Sequence, residues 1–212
     1  MEEKAKYLQQ INDIKNMMDN NTKFLSLSGL AGVWAGSTAI IGALVAAKIL
    51  QDNIMLIRSW EQFENGRTLI SKLALTLIGL GFLIFLVALA GGFYFTYRKA
   101  KKHHQKIWNN TSKKMLLDLL LIGIVGGIFC LLQIKNGVAF LFAPTCLIFY
   151  GIGLFTVSRY TVRDIKTLSI CMMVLGLFNA YYIYHGILFW FIGFGILHIV
   201  YGIAMYLKYD RK

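Results

Sequence analysis

Few side chains in this sequence could do chemistry, and His198 comes first among them. It lies about eleven residues into an apolar run over 187–207. An imidazole at that depth must hydrogen-bond something, and ionisable groups inside a membrane mark binding sites or proton paths. Three neighbours could serve it: Asn179 on the preceding apolar run, Tyr201 beside it, or Tyr150 on an earlier run. A neutral histidine that joins helices would use the same residue types. Pro144 and Gly193 add a second clue. Both weaken a helix, and both stand seven positions past a turn glycine, Gly137 or Gly186. Matched breakers in repeated helical units point to a binding site in transporters; a proline in a membrane helix can equally be a plain kink. His198, Asn179, Pro144, Gly193, Tyr150 and Tyr201 thus form a candidate ligand site.

Other reactive groups have simpler readings. Asp118 is the only acid inside an expected span, one turn in and four residues after Lys114. That spacing predicts pairing with Lys114 and with the positive helix start. Cys130, Cys146 and Cys171 all fall inside expected spans. Their odd number and spacing fit neither a disulfide framework nor a zinc site, which leaves small apolar packing. His185, His103 and His104 lie at other depths, so His198 has no companion for a metal or haem. Gln133 and Thr145 read as interhelical hydrogen-bonding groups. Gly79 and Gly81 follow no strand and lie in an apolar run, which excludes a phosphate loop. No HExxH or GxSxG pattern is present, and no two carboxylates share a depth. Neither a catalytic residue nor a cofactor is expected.

The elements that must position these groups are helices in lipid. The chain is 57% hydrophobic and 15% charged, with the single proline Pro144. Such a chain stays dispersed only if its apolar side chains face lipid or one another. Six runs are long enough to cross a bilayer, at about 24–48, 69–97, 115–134, 138–158, 167–184 and 187–207. The expected fold is an all-α, six-transmembrane-helix bundle. In the first span Ser28, Gly32 and Gly36 recur every fourth residue, and Ala39, Ala43 and Ala47 continue the row. A small-residue row lets a neighbouring backbone approach closely, so this span should be central. Ahead of it, Tyr7, Ile11, Ile14 and Met18 make one apolar stripe, which predicts a cytoplasmic amphipathic helix over 1–23. The acidic start MEEKAKYLQQ is unlike a cleavable signal peptide, so the first span is expected to remain as an anchor. Between the first two spans, Asp52 could cap a short interfacial helix through Trp60 that ends at Gly66.

Charge orients the spans. The net charge is +12, and when alternate connections are assigned to opposite sides, 17 basic residues fall on one side and 5 on the other. The rich side includes both ends of the chain, which places both termini in the cytoplasm. Basic clusters that flank spans are topological signals, so nucleic acid is rejected as a partner and membrane lipid expected.

A shift of 49 residues lays spans three and four on spans five and six. Gly127 meets Gly176, Phe140 meets Phe189, Gly153 meets Gly202 and Tyr160 meets Tyr209. Both turns, KNG at 135–137 and YHG at 184–186, match without a gap. The expected units are therefore helical hairpins with a 49-residue repeat, their turn glycines left-handed. Three hairpins resemble in plan the mitochondrial carriers, whose proline–acidic–basic signature is absent here. The segment INDIKNMM followed by KFLSLSGLAGVWAG, over residues 11–36, resembles a group of bacterial inner-membrane proteins of unknown activity. The resemblance implies a multi-pass inner-membrane protein and no mechanism. Two functions remain open: small-molecule or lipid binding and transport through an intramembrane cavity, or a non-catalytic scaffold. The scaffold would use Ser28, Gly32, Gly36 and Ala43 to meet a second copy or a membrane partner protein.

Overall fold

The computed structural model describes residues 7, 28–53, 66–102, 108–162 and 164–211. The expected helix over 1–23, the interfacial helix after Asp52 and the first four residues of the first span therefore lie outside the described residues, Tyr7 excepted. The described chain is all-helical. Its elements are α1 (Gly29–Asp52), α2 (Gly66–Lys102), α3 (Asn110–Lys135), α4 (Phe142–Val157), α5 (Asp164–Tyr181) and α6. The last runs on without a break as Gly186–Trp190 in α geometry, Phe191–Leu197 in π geometry, His198–Met205 in α geometry and Tyr206–Asp210 in π geometry. Short 3-10 turns, Ala139–Leu141 and Ile183–His185, lead into α4 and α6.

Among the described residues, five helical segments are long and apolar enough to cross a membrane; α5 is not among them. Its 18 residues include Asp164, Lys166 and Asn179, which dilute its apolar content. Most helices overrun their apolar centres because polar flanks extend them. α3 starts at Asn110 because Asn109 and Ser112 cap it reciprocally: the Asn109 side chain accepts from Ser112 N, and Ser112 Oγ accepts from Asn109 N. α1 likewise continues through Asp52, with Asn53 as its C-terminal cap.

The helices lie in a row rather than a ring. α1 lies between α2 and α6, α6 also meets α4 and α5, and α3 flanks α4. The densest packing is among α4, α5 and α6, where Leu147, Leu168 and Met172 form one buried cluster and Val162, Ile165 and Met205 a second. The most apolar stretch of α2 has no buried residue, and Leu75, Phe82 and Leu89 project outward, as lipid-facing side chains do.

The α1–α6 seam depends on glycine. A Cβ on Gly202 would stand 2.5 Å from Val33 N, and one on Gly36 2.7 Å from Gly195 O. A Cβ on Gly32 would meet Gly202 Cα at 3.0 Å. Two backbones in such contact leave no room for a larger side chain. Ser28, Gly36, Ala39 and Ala43 are buried along this side of α1, and the row stops there because Ala47 is exposed. The face of α1 offered to a neighbour is thus taken up by α6 of the same chain.

The turn glycines differ. Gly137 has φ +75°, the left-handed conformation expected of it. Gly186 has φ −49° and simply begins α6. The aligned pair Gly127 and Gly176 also differ: Gly176 packs against Ile148, whereas Gly127 faces open space and Gly126 does the packing, against Phe149.

Candidate functional site

His198 stands twelve residues after Gly186 and twelve before Asp210, about 18 Å from either end of α6 at 1.5 Å per residue. Only 5% of its surface is exposed. Its Nδ1 lies 2.9 Å from the carbonyl oxygen of Gly193, and its Nε2 lies 2.7 Å from Tyr150 Oη. A carbonyl can only accept, so Nδ1 carries the hydrogen. In the neutral ring Nε2 is then the acceptor, and the Tyr150 hydroxyl donates to it. Phe194 lies over the imidazole at 6.0 Å between centroids and packs its edge on Tyr150 at 5.1 Å.

The local chain geometry follows from the same contacts. Gly193 falls in the π-helical segment, where the wider winding turns its carbonyl toward a side chain five residues on. Gly193 is also a point of close approach: a Cβ there would come within 2.6 Å of Leu147 Cδ2 and 3.0 Å of Leu175 Cδ2. The space beside it is filled by side chains.

Three of the six candidate residues therefore meet: His198, Tyr150 and Gly193. The other three make no hydrogen bond to His198. Pro144 is the third residue of α4, in the first turn, where a missing N–H breaks no helical bond. It is a helix-start residue, so its alignment with Gly193 joins two positions of different character. Asn179 is fully buried on α5, and neither Nδ2 nor Oδ1 has a hydrogen-bond partner. Tyr201 packs against both hydrophobic clusters, with its hydroxyl buried and unpartnered. An apolar groove of about 430 Å³ is lined by Val174, Leu177, Phe178, Tyr181 and Tyr182. It sits on one face of α5, away from His198.

Charged groups gather at one end of the molecule. Asp118 is bonded by the Tyr160 hydroxyl at 2.9 Å, not by Lys114 as its spacing suggests. The carboxylate that accepts this bond holds the Tyr160 hydroxyl above its ordinary range. Asp164 receives Lys208 Nζ at 3.0 Å and the Tyr209 hydroxyl at 2.8 Å. Asp210, which sequence reasoning passed over, does most. Its Oδ2 accepts from Gly29 N at 2.9 Å and Ser28 Oγ at 3.2 Å, and its Oδ1 pairs with Lys99 Nζ at 2.7 Å. One carboxylate caps the start of α1 and ties it to the ends of α2 and α6. Its position near the chain end gave no local signal of that role.

A second missed contact lies in the α3–α4 hairpin. Cys130 Sγ and Cys146 Sγ are 3.9 Å apart, and Gln133 Nε2 donates to Thr145 Oγ1 at 2.8 Å. The signal was available, because Cys130 is seven residues before Gly137 and Cys146 nine after it. Residues nearly equidistant from a tight turn face each other across an antiparallel hairpin. Among the described residues, no cluster of His, Cys, Asp and Glu could hold a metal ion. Comparison with protein-family models, with curated proteins and with solved structures finds no match.

Proposed function

We propose that this polytopic membrane protein binds a small molecule or lipid within the bilayer and carries it, with a site centred on His198 and Tyr150. One observation carries this reading: a buried histidine at mid-span, hydrogen-bonded across to α4, stands directly after the π-helical stretch of α6 and bonds back to a carbonyl within it. π-Helical turns recur at functional sites, and non-standard backbone at membrane depth is where carriers hold their substrates. A ligand would enter by displacing Tyr150 or Phe194 from the imidazole, exposing one acceptor nitrogen and one hydroxyl. Those two groups select a neutral polar group on an otherwise apolar molecule.

The frame for this site is six spans with both termini cytoplasmic. It is supported by the charge asymmetry and by the location of the Asp118, Asp164 and Asp210 contacts at one end. The 49-residue duplication is supported by a shared clasp. Tyr160 and Tyr209, which align, each donate to an aspartate of the partner helix in their own hairpin, although Asp118 falls on Thr167 and so stands three positions out of register with Asp164. Residence in the bacterial inner membrane rests on the likeness over residues 11–36.

Native mass spectrometry of protein released in mild detergent tests the reading. The expected spectrum shows a stoichiometric small molecule or lipid on the wild type, lost in His198→Ala and weakened in Tyr150→Phe. A wild type that carries nothing, or a ligand indifferent to both changes, would sink it. The second reading, a non-catalytic partner subunit, is favoured by Gly123 and Gly127 on α3, one turn apart and facing open space. It predicts a defined oligomer or a co-purified membrane protein, lost when Gly127 becomes leucine.

A further inference from the structure

The three cysteines are not equivalent. Cys171 is exposed on α5, whereas Cys130 and Cys146 are free thiols whose sulfurs face each other at 3.9 Å across the α3–α4 hairpin. Next to them the Gln133–Thr145 bond joins the same two helices, which keeps the sulfurs in register. A disulfide requires about 2.05 Å between sulfurs, so closure asks for roughly 2 Å of movement shared by two side chains.

We propose that Cys130 and Cys146 are a redox-active dithiol, oxidised reversibly to a disulfide by a two-electron oxidant of the quinone class dissolved in the bilayer. Two S–H bonds break and one S–S bond forms. Two electrons and two protons pass to the quinone, which leaves as the quinol, and the reverse reaction reopens the pair.

The position of the pair argues for a lipid-soluble oxidant. Cys130 is five residues from the end of α3 at Lys135, about 7.5 Å inside the hairpin, and only 5% exposed. A soluble thiol–disulfide enzyme would have to enter the apolar span to reach that depth, whereas a quinone dissolves in it and meets the pair at Cys146, which is half-buried. Buried apolar cysteines are ordinarily inert. This pair differs in two ways: a second sulfur stands at contact distance, and Gln133 Oε1, one turn away on α3, is buried with no hydrogen-bond partner. That oxygen is an acceptor for a thiol hydrogen as it departs. The charge asymmetry also directs this end of the hairpin to the non-cytoplasmic side, where disulfides persist.

The test shares no residue with the His198 site, so the two proposals fail separately. Full-length protein is reduced, placed in lipid nanodiscs and incubated with a short-chain ubiquinone. It is then denatured, labelled with N-ethylmaleimide and weighed intact. With three cysteines in the chain, reduced protein should take three labels and quinone-treated protein one, on Cys171. One quinol should form per disulfide. Cys130→Ser and Cys146→Ser should keep both remaining labels and yield no quinol. If either variant fails to fold, the wild-type label count and quinol yield decide alone. Three labels after quinone treatment, or a disulfide that includes Cys171, overturns the proposal. So does a pair oxidised by aqueous oxidised glutathione and untouched by quinone.

Discussion

At His198 both ring nitrogens are committed, one to the Gly193 carbonyl and one to the Tyr150 hydroxyl. Tyr150→Phe keeps the ring and strands Nε2, which should lower stability by about 1 kcal/mol in a denaturant titration from mixed micelles. His198→Ala removes both bonds and leaves a void, so about 2–3 kcal/mol is expected from the same titration. Asn179 presents the opposite case. Its amide is fully buried without a hydrogen-bond partner, so Asn179→Leu, an apolar residue of similar volume, should be neutral or stabilising. A loss above about 1 kcal/mol would show that the amide holds a water or ligand. Sequence reasoning found His198 and Tyr150 because ionisable and hydroxyl groups stand out against an apolar background. It also grouped Asn179 and Pro144 with them, and no hydrogen bond joins either to His198, because depth along a helix says nothing about which side faces which neighbour.

Among the elements, the α1–α6 pair is the most sensitive to side-chain size. Gly36→Ala or Gly202→Ala puts a methyl against backbone, and each should cost about 1–3 kcal/mol through overpacking. Gly79→Ala and Gly127→Ala meet open space and should instead gain roughly 0.5–1 kcal/mol of helix propensity. Thermal unfolding of the four variants side by side checks the contrast, and equal effects would refute the close packing. The repeat of Ser28, Gly32 and Gly36 every fourth residue announced a tight seam. Which helix fills it was not legible, because α2 and α6 both offer spaced glycines.

For the whole molecule, Asp210 is the tie with the widest reach, joining α1, α2 and α6 through Gly29, Ser28 and Lys99. Its side chain is 8% exposed and that of Lys99 12%. Asp210→Asn removes the ion pair with Lys99 and weakens the bonds from Gly29 N and Ser28 Oγ, so it should cost about 2–3 kcal/mol. Lys99→Met, made alone and together with it, completes a double-mutant cycle that measures the coupling. Orientation is checked by maleimide labelling of single cysteines in intact cells. A cysteine at Asn136 should react with a membrane-impermeant reagent, and one at Arg159 only after permeabilisation. The reverse pattern would invert the charge argument.

Apolar run length and the uneven placement of basic residues belong to the sequence itself, because the bilayer acts on each segment one at a time. From them come the all-helical class, the long apolar helices and the expected direction of each span. The tertiary structure alone decided the partners: Tyr150 for His198, Tyr160 for Asp118, Asp210 for the start of α1, and Cys146 for Cys130. It also made Pro144 a helix start and Gly193 part of a widened turn. In lipid an apolar residue gains little from one apolar neighbour over another. Pairing therefore rests on shape and on a few polar bonds, which emerge only when helices are set side by side.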